Sequence, residues 1–110
     1  MGFLTRVVAM LGIICAGLTL PLRAEDSPGA ALFRSNCAIC HAADASGNTA
    51  LGKKNNIKDL KSPEAQKATD TEWFELISKG KKPMPPFAGR LKEEQIHQII
   101  SYLRELGKKK

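Results

Sequence analysis

The stretch Cys37-Ala38-Ile39-Cys40-His41 decides the fold of this chain. Two cysteines three positions apart on a helical turn present both sulfurs on one side. The adjacent imidazole can then reach the centre of a macrocycle that those sulfurs hold, and this spacing is the signature of covalent c-type haem attachment. We therefore predict one c-type haem, with thioether bonds to Cys37 and Cys40 and an axial iron bond from His41.

The same motif has alternatives that its surroundings do not favour. A redox-active cysteine pair needs a β-α-β context, whereas residues 25–110 contain no valine and only three threonines, so strands have little to be built from. A zinc site needs further Cys or His ligands, and beyond the motif only His97 is present there. A chance succession of the motif's residues is the remaining alternative.

Met84 is the predicted second axial ligand. It is the one methionine in residues 25–110 and lies in Lys82-Pro83-Met84-Pro85-Pro86-Phe87, where three prolines restrict the backbone. A stiff loop that presents one thioether suits a ligand held against a flat cofactor. A core methionine that fills a gap is the alternative. His97 is predicted at the flank of an apolar helix face rather than on iron.

Helix signals dominate the rest of the chain, so we predict an all-α fold. Ser27-Pro28 opens a first helix and Ser62-Pro63 opens a short one, because a serine N-cap and a proline at the first helical position both favour a helix start. Two segments rich in glycine, asparagine or proline, 44–56 and 81–89, are predicted to be irregular.

Two further helices follow from capping and periodicity. Thr69 and Glu72 form a capping-box pattern for a helix that ends at Gly80. The longest helix is predicted over 91–106 with Gly107 as its stop. Its apolar stripe consists of Ile96, Ile99, Ile100, Leu103 and Leu106.

Residues 1–24 are predicted to be a cleaved secretory signal peptide. Arg6 precedes an apolar run of about 14 residues, which ends at Pro21 and is followed by the small residue Ala24. Because spanning a bilayer takes roughly 20 residues, an uncleaved anchor is only the alternative. We expect a periplasmic protein without a stable membrane anchor after cleavage. Export agrees with a haem that is attached outside the cytoplasm.

Composition agrees with that division. The 110-residue chain has three cysteines and a net charge of +6. Without residues 1–24 it loses Cys15, and the domain 25–110 has two cysteines, a net charge of +4 and 21 apolar residues other than alanine. A domain with so few large apolar side chains usually needs a disulfide, a metal or a cofactor to stabilise it. A covalently held macrocycle would fill the centre of such a domain.

Residues 27–107 resemble the small class I monohaem cytochromes c of bacterial respiratory chains. The matching residues occur in the family's order and approximate spacing: Gly29, Phe33, Cys37–His41, Met84–Phe87, Ile99 and Tyr102. The resemblance implies an all-α class I cytochrome c fold, with three main helices and one or two short ones around one haem. It also implies that Gly29 lets the first and last helices cross closely, with Phe33 and Tyr102 packed at the crossing.

The chain departs from the family at two positions. Ala50 stands where many members carry a proline whose carbonyl accepts the proton of the ligand histidine; the carbonyl is retained, so this bond to His41 is compatible with the change. Lys92 replaces the usual Ser or Thr N-cap of the last helix, at a cost of up to about 1 kcal/mol. Trp73 and Phe74 are expected either to line the haem pocket or to be ordinary core aromatics.

With His and Met ligands, iron has no open position for a substrate. We therefore predict a soluble exported electron carrier, not an enzyme, that cycles between Fe(II) and Fe(III) and shuttles single electrons between respiratory or dehydrogenase partners. One alternative is a haem-based sensor or peroxidase-like protein, which requires that Met84 does not ligate iron. The other is a haem subunit of a larger redox complex.

Charge bears on the partners. Lysines follow the haem motif and precede Met84, namely Lys53, Lys54, Lys58, Lys61, Lys79, Lys81 and Lys82. An acidic docking face on a redox partner is the hypothesis, and ordinary solubilising charge is its alternative. Nucleic-acid binding is not expected, because the basic residues are not interleaved with aromatic ones. A monomer is expected.

Overall fold

The computed structural model describes residues 12, 16–20 and 23–109, and this part of the chain contains α-helices and no β-strand. A 3-10 turn over Ala24–Asp26 precedes six α-helices: α1 (Pro28–Asn36), α2 (Ala38–His41), α3 (Ala50–Lys54), α4 (Pro63–Gln66), α5 (Asp70–Lys79) and α6 (Glu93–Lys108). The predicted all-α architecture is confirmed for this part of the chain, with α1, α5 and α6 as the three main helices.

The predicted caps are present at the helix starts. The Ser27 hydroxyl accepts from the backbone N–H of Ala30 at 3.2 Å, next to Pro28 at the first helical position. At the start of α5, the Thr69 hydroxyl accepts from Glu72 N at 3.1 Å, and the Glu72 carboxylate accepts from Thr69 N at 2.8 Å. These side chains satisfy amide donors that have no partner inside the helix.

Two boundaries differ from the prediction. The segment 44–56, predicted to be irregular, contains α3, which Thr49 caps, so the short helices number three rather than one or two. Gly107 does not end the last helix but lies inside α6. A Cβ at Gly107 would lie 2.5 Å from the side-chain amide carbon of Gln66, so the missing side chain makes room for a neighbour instead of breaking the helix.

The first and last helices cross as the resemblance implies. A Cβ at Gly29 would lie 2.0 Å from the backbone oxygen of Gln98, so the backbones of α1 and α6 are in direct contact there. The rings of Phe33 and Tyr102 pack beside the crossing with centroids 5.8 Å apart. This crossing holds the two ends of the domain together and carries much of the core, including the fully buried Ile99.

The predicted signal peptide lies mostly outside the described residues, as does Cys15. Leu18 and Leu20, which are described, are exposed. Across the described residues, none of the helices combines the length and the apolar character needed to cross a membrane.

Candidate functional site

The motif at the centre of the sequence prediction forms its own helical turn. Cys37 precedes α2, which contains Cys40 and His41, and the backbone N–H of His41 donates to the Cys37 carbonyl at 2.9 Å. Cys37 is buried, Cys40 is half-buried, and neither cysteine forms a disulfide. Burial, reinforced by the neighbouring Cys40 thiol, raises the pKa of Cys37 to about 11. Without a bond to another group, the Cys37 side chain is therefore a neutral thiol at neutral pH.

These side chains open onto a mostly apolar cavity of about 390 Å³. Met84 lines it from a distant segment of the chain, so the structure brings together the four predicted site residues, Cys37, Cys40, His41 and Met84. The rest of its lining consists of Asn36, Ile39, Asn55, Ile57, Leu76, Lys81, Pro83, Pro85, Phe87 and Arg90.

A second cavity of about 60 Å³ shares Cys37, His41, Leu76 and Met84 with the first. It extends into the core toward Phe33 and Ile99. Its lining is almost wholly apolar, so the space between His41 and Met84 is a cleft into the middle of the domain. A flat apolar group inserted there would complete the lean core.

His41 has the chemistry of a metal ligand. Burial lowers the pKa of its imidazole below the ordinary value, which favours the neutral form that binds metals. Its Nδ1 is buried and has no hydrogen-bond partner among the described residues. The bond to the Ala50 carbonyl that the family pattern suggested is therefore absent, and Ala50 lies at the first position of α3.

Met84 is held by a short backbone frame rather than by a helix. Lys81 and Met84 pair through N–H···O bonds of 3.0 and 2.8 Å, and the Lys82-Pro83 peptide is cis. Downstream, Phe87 N donates to Ile77 O at 3.0 Å, which ties the loop to α5. The loop is thereby anchored on both sides of the methionine. Its half-buried thioether faces the same cavity as the imidazole.

The two aromatic residues of α5 have different positions. Trp73 is buried and lines the smaller cavity, as expected for a pocket residue. Phe74 lines neither of the two cavities. It stacks on His97, with ring centroids 4.7 Å apart and an interplanar angle of 19°. Of the two roles considered for Phe74, the structure therefore gives it the ordinary packing role, against α6 and away from the cavities. His97 is exposed on the flank of α6, as predicted.

Sequence reasoning missed Thr49. Its hydroxyl donates to the Cys40 carbonyl at 2.7 Å and accepts from Gly52 N at 2.8 Å, so it joins the end of α2 to the start of α3. A threonine three residues before Gly52, in a segment with helix-forming residues, was the available N-cap signal. The contact to Cys40 has no local sequence signal, because the two residues are nine positions apart.

The donor set fits a covalently bound haem. Two unpaired cysteine thiols, a neutral imidazole and a thioether border one apolar cleft, which is what two thioether bonds and two axial ligands require. Fold and site together define a small c-type cytochrome.

Comparisons with known proteins agree with this class. Residues 24–103 match the family described as Cytochrome C oxidase, cbb3-type, subunit III. The chain is 31% identical to cytochrome c6 of Synechococcus sp. (strain ATCC 27167 / PCC 6312) over 96% of this chain and 93% of that one. It is 36% identical to cytochrome c6 of Leptolyngbya boryana over 78% of this chain and 98% of that one.

A solved structure confirms the predicted class I cytochrome c fold. The KustC0563 c-type cytochrome superposes with a TM-score of 0.65 and 30% identity, covering 73% of this chain and 98% of that one. The chain belongs to the cytochrome c family as a small monohaem c-type cytochrome. It carries one covalently bound c-type haem and is an electron carrier, not an enzyme.

Proposed function

We propose that Cys37 and Cys40 hold the haem by thioether bonds and that His41 and Met84 are its two axial ligands. The observation that carries this proposal is that His41 and Met84, from distant parts of the chain, line the same two cavities. Haem supplies the one-electron chemistry of its iron. The chain would supply the two ligands and a mostly apolar cleft that limits water.

This ligand set supports electron transfer rather than catalysis. With His41 and Met84 holding the haem iron, no vacant position would remain for oxygen, peroxide or a substrate. The buried wall formed by Trp73 and Ile77 lowers the local dielectric, which is one of the determinants of reduction potential. The chain therefore shuttles single electrons between protein partners.

The visible spectrum of the purified holoprotein tests the ligand assignment. We expect a low-spin spectrum with methionine-ligated features at neutral pH, lost in Met84→Ala. The matched control is Leu76→Ala, which also removes a side chain from both cavities but takes away no donor atom. A high-spin wild-type spectrum, or tight carbon monoxide binding, would instead support the sensor or peroxidase-like alternative.

The surface around the larger cavity supports an acidic docking partner. Ile39, between the two cysteines, is 73% exposed. Lys81 and Arg90 are exposed and line the same cavity, so the exposed apolar side chain of Ile39 is accompanied by positive charge at the cavity. We expect the partner to present carboxylates around an apolar centre, because such complementarity speeds encounter. The partners fitting this carrier are respiratory or dehydrogenase proteins.

We further propose that residues 1–24 are removed after export to the periplasm and that domain 25–110 acts as a monomer. The intact mass of the natively produced holoprotein is the test. It should equal the chain from Glu25 onward plus one haem. A mass that includes residues 1–24 would contradict cleavage, and a haem-free mass would contradict the cofactor assignment.

The family match favours one second candidate, a haem subunit of a larger redox complex, because the matching family is described as an oxidase subunit. Size-exclusion chromatography of the native extract distinguishes the two. A free carrier elutes as a monomer. A subunit elutes with a larger assembly under mild conditions and leaves it in detergent or high salt.

A further inference from the structure

We propose that Thr49 is a positioning residue for His41, so that its hydroxyl helps to set the orientation of the axial ligand. This inference rests on the proposed His/Met ligation. It starts from the imidazole itself, whose Nδ1 is buried without a hydrogen-bond partner among the described residues. The ring orientation must therefore come from the backbone that carries it and from neighbouring rings such as Phe33, whose centroid is 6.3 Å away.

That backbone ends abruptly at the ligand. The helix α2 is a single turn, and Ala42 leaves it with a φ of 67°. Carbonyls at a helix C-terminus have no partner inside the helix. Two contacts from the following segment supply them: Gly47 N donates to His41 O at 2.7 Å, and the Thr49 hydroxyl donates to Cys40 O at 2.7 Å.

Thr49 transmits this contact to α3. Its oxygen accepts from Gly52 N at 2.8 Å, so a single side chain joins two short helices. The fit is tight, because a Cβ at Gly52 would lie 2.0 Å from Gly47 O and 2.7 Å from Cys40 O. The first turn of α3 thus packs directly on the Cys40 carbonyl of the ligand turn and on Gly47, whose N–H donates to His41 O. A shift of α3 would move the peptide units before and after His41.

Removing the Thr49 hydroxyl should therefore change the orientation of His41 and not only the stability of the domain. In Thr49→Val the shape is retained, while Cys40 O and Gly52 N lose their partner. We expect a measurable shift of the midpoint potential and altered g-values in the EPR spectrum of the ferric holoprotein, because groups beyond the ligands orient them and tune the metal. Thr49→Ser, which keeps the hydroxyl, should restore both.

A matched control separates this role from capping. Thr69 caps α5 with the same kind of bond, its hydroxyl accepting from Glu72 N, but among the described residues that hydroxyl makes no bond to α2. Thr69→Val should lower the unfolding midpoint while leaving the potential and the EPR spectrum at wild-type values. If Thr49→Val behaves in the same way, Thr49 is a helix cap only and the proposal is wrong.

Thr49→Asp covers the case in which Thr49→Val yields no holoprotein. Its carboxylate can still accept from Gly52 N, but it has no hydrogen to donate to Cys40 O. Altered EPR g-values in this variant would support the proposal, and a wild-type spectrum would overturn it. A wild-type protein that is not low-spin would instead contradict the His/Met assignment, so the two failures are distinguishable.

Discussion

The Arg104 guanidinium lies over the face of the Trp73 indole, 4.0 Å from the ring centroid. The same guanidinium donates to Asp70 Oδ1 and to the Gln66 carbonyl, each at 2.9 Å, and to the Ala68 carbonyl. Arg104 lies on α6, so these bonds connect α6 to the segment between α4 and α5. Since Trp73 lines the smaller cavity, it also supports one wall of the cleft.

Arg104→Met should lower the free energy of unfolding by about 2–3 kcal/mol, because two backbone carbonyls lose a charged donor and the indole loses its cation. The exposed ion pair to Asp70 adds little. Denaturant unfolding of the holoprotein measures the effect. The control Arg34→Met removes an exposed arginine with one bond to the Glu25 carbonyl and should cost about 0.5 kcal/mol or less. Equal losses would contradict this role of Arg104.

Gly29→Ala should destabilise the domain by about 1–3 kcal/mol, the usual range for overpacking. The new Cβ would meet the backbone of Gln98, which cannot rotate away, so α1 and α6 must separate. Gly89→Ala is the matched control, because a Cβ there has no neighbour within 4 Å. Thermal unfolding of both variants checks the prediction. It fails if both substitutions are equally harmless.

Asp44 should titrate below its ordinary pKa. Hydrogen bonds from the hydroxyl and backbone N–H of Ser46 stabilise the carboxylate and lower the pKa. A lowered folded-state pKa contributes stability above the ordinary value, and this contribution is lost as pH falls through the lowered one. NMR titration measures it. Ser46→Ala should raise the pKa of Asp44 toward normal, whereas Ser101→Ala on α6 should not. Identical titrations in both variants would exclude this hydroxyl as a cause.

Met84→His should lower the midpoint potential while the iron stays low-spin, because a thioether ligand raises the potential relative to a second imidazole. A redox titration with visible detection gives both results. His97→Ala should leave the potential unchanged, since His97 lines neither haem-side cavity. An unchanged potential in Met84→His would mean that residue 84 does not reach the iron.

Lys81→Glu should slow oxidation by ferricyanide several-fold at low ionic strength, because Lys81 lines the larger cavity and attracts an anionic oxidant. Lys108→Glu makes the same change of net charge in the last turn of α6. Stopped-flow rates should differ between the variants in dilute buffer and converge at high salt. Equal slowing by both would mean that total charge, not its placement, sets the rate.

The fold was predictable where the signal is local. Ser27 with Pro28, and Thr69 with Glu72, act within one turn, so each start could be identified without knowing the tertiary structure. The haem motif is also local. Gly107 was misassigned because a glycine can serve packing as well as termination, and only the position of Gln66 distinguishes the two.

The four candidate site residues could be named from the sequence, but the contacts that hold them in place could not. Met84 was accessible by elimination, because it is the one methionine of the domain. The contacts of Thr49 to Cys40 and of Arg104 to Trp73 join different elements, so no pattern along the chain reports them. The surroundings of Phe74 could not be predicted for the same reason, because its ring stacks on His97, which belongs to α6.

The crossing of α1 and α6 also constrains the order in which the domain can form. The principal partner of α1 is α6, the last of the described helices, so the domain cannot close before α6 has been synthesised. Cys37–His41 precedes α6 along the chain and is therefore synthesised before it. The cysteines that we propose to bond the haem are therefore not enclosed by a finished domain until α1 and α6 meet.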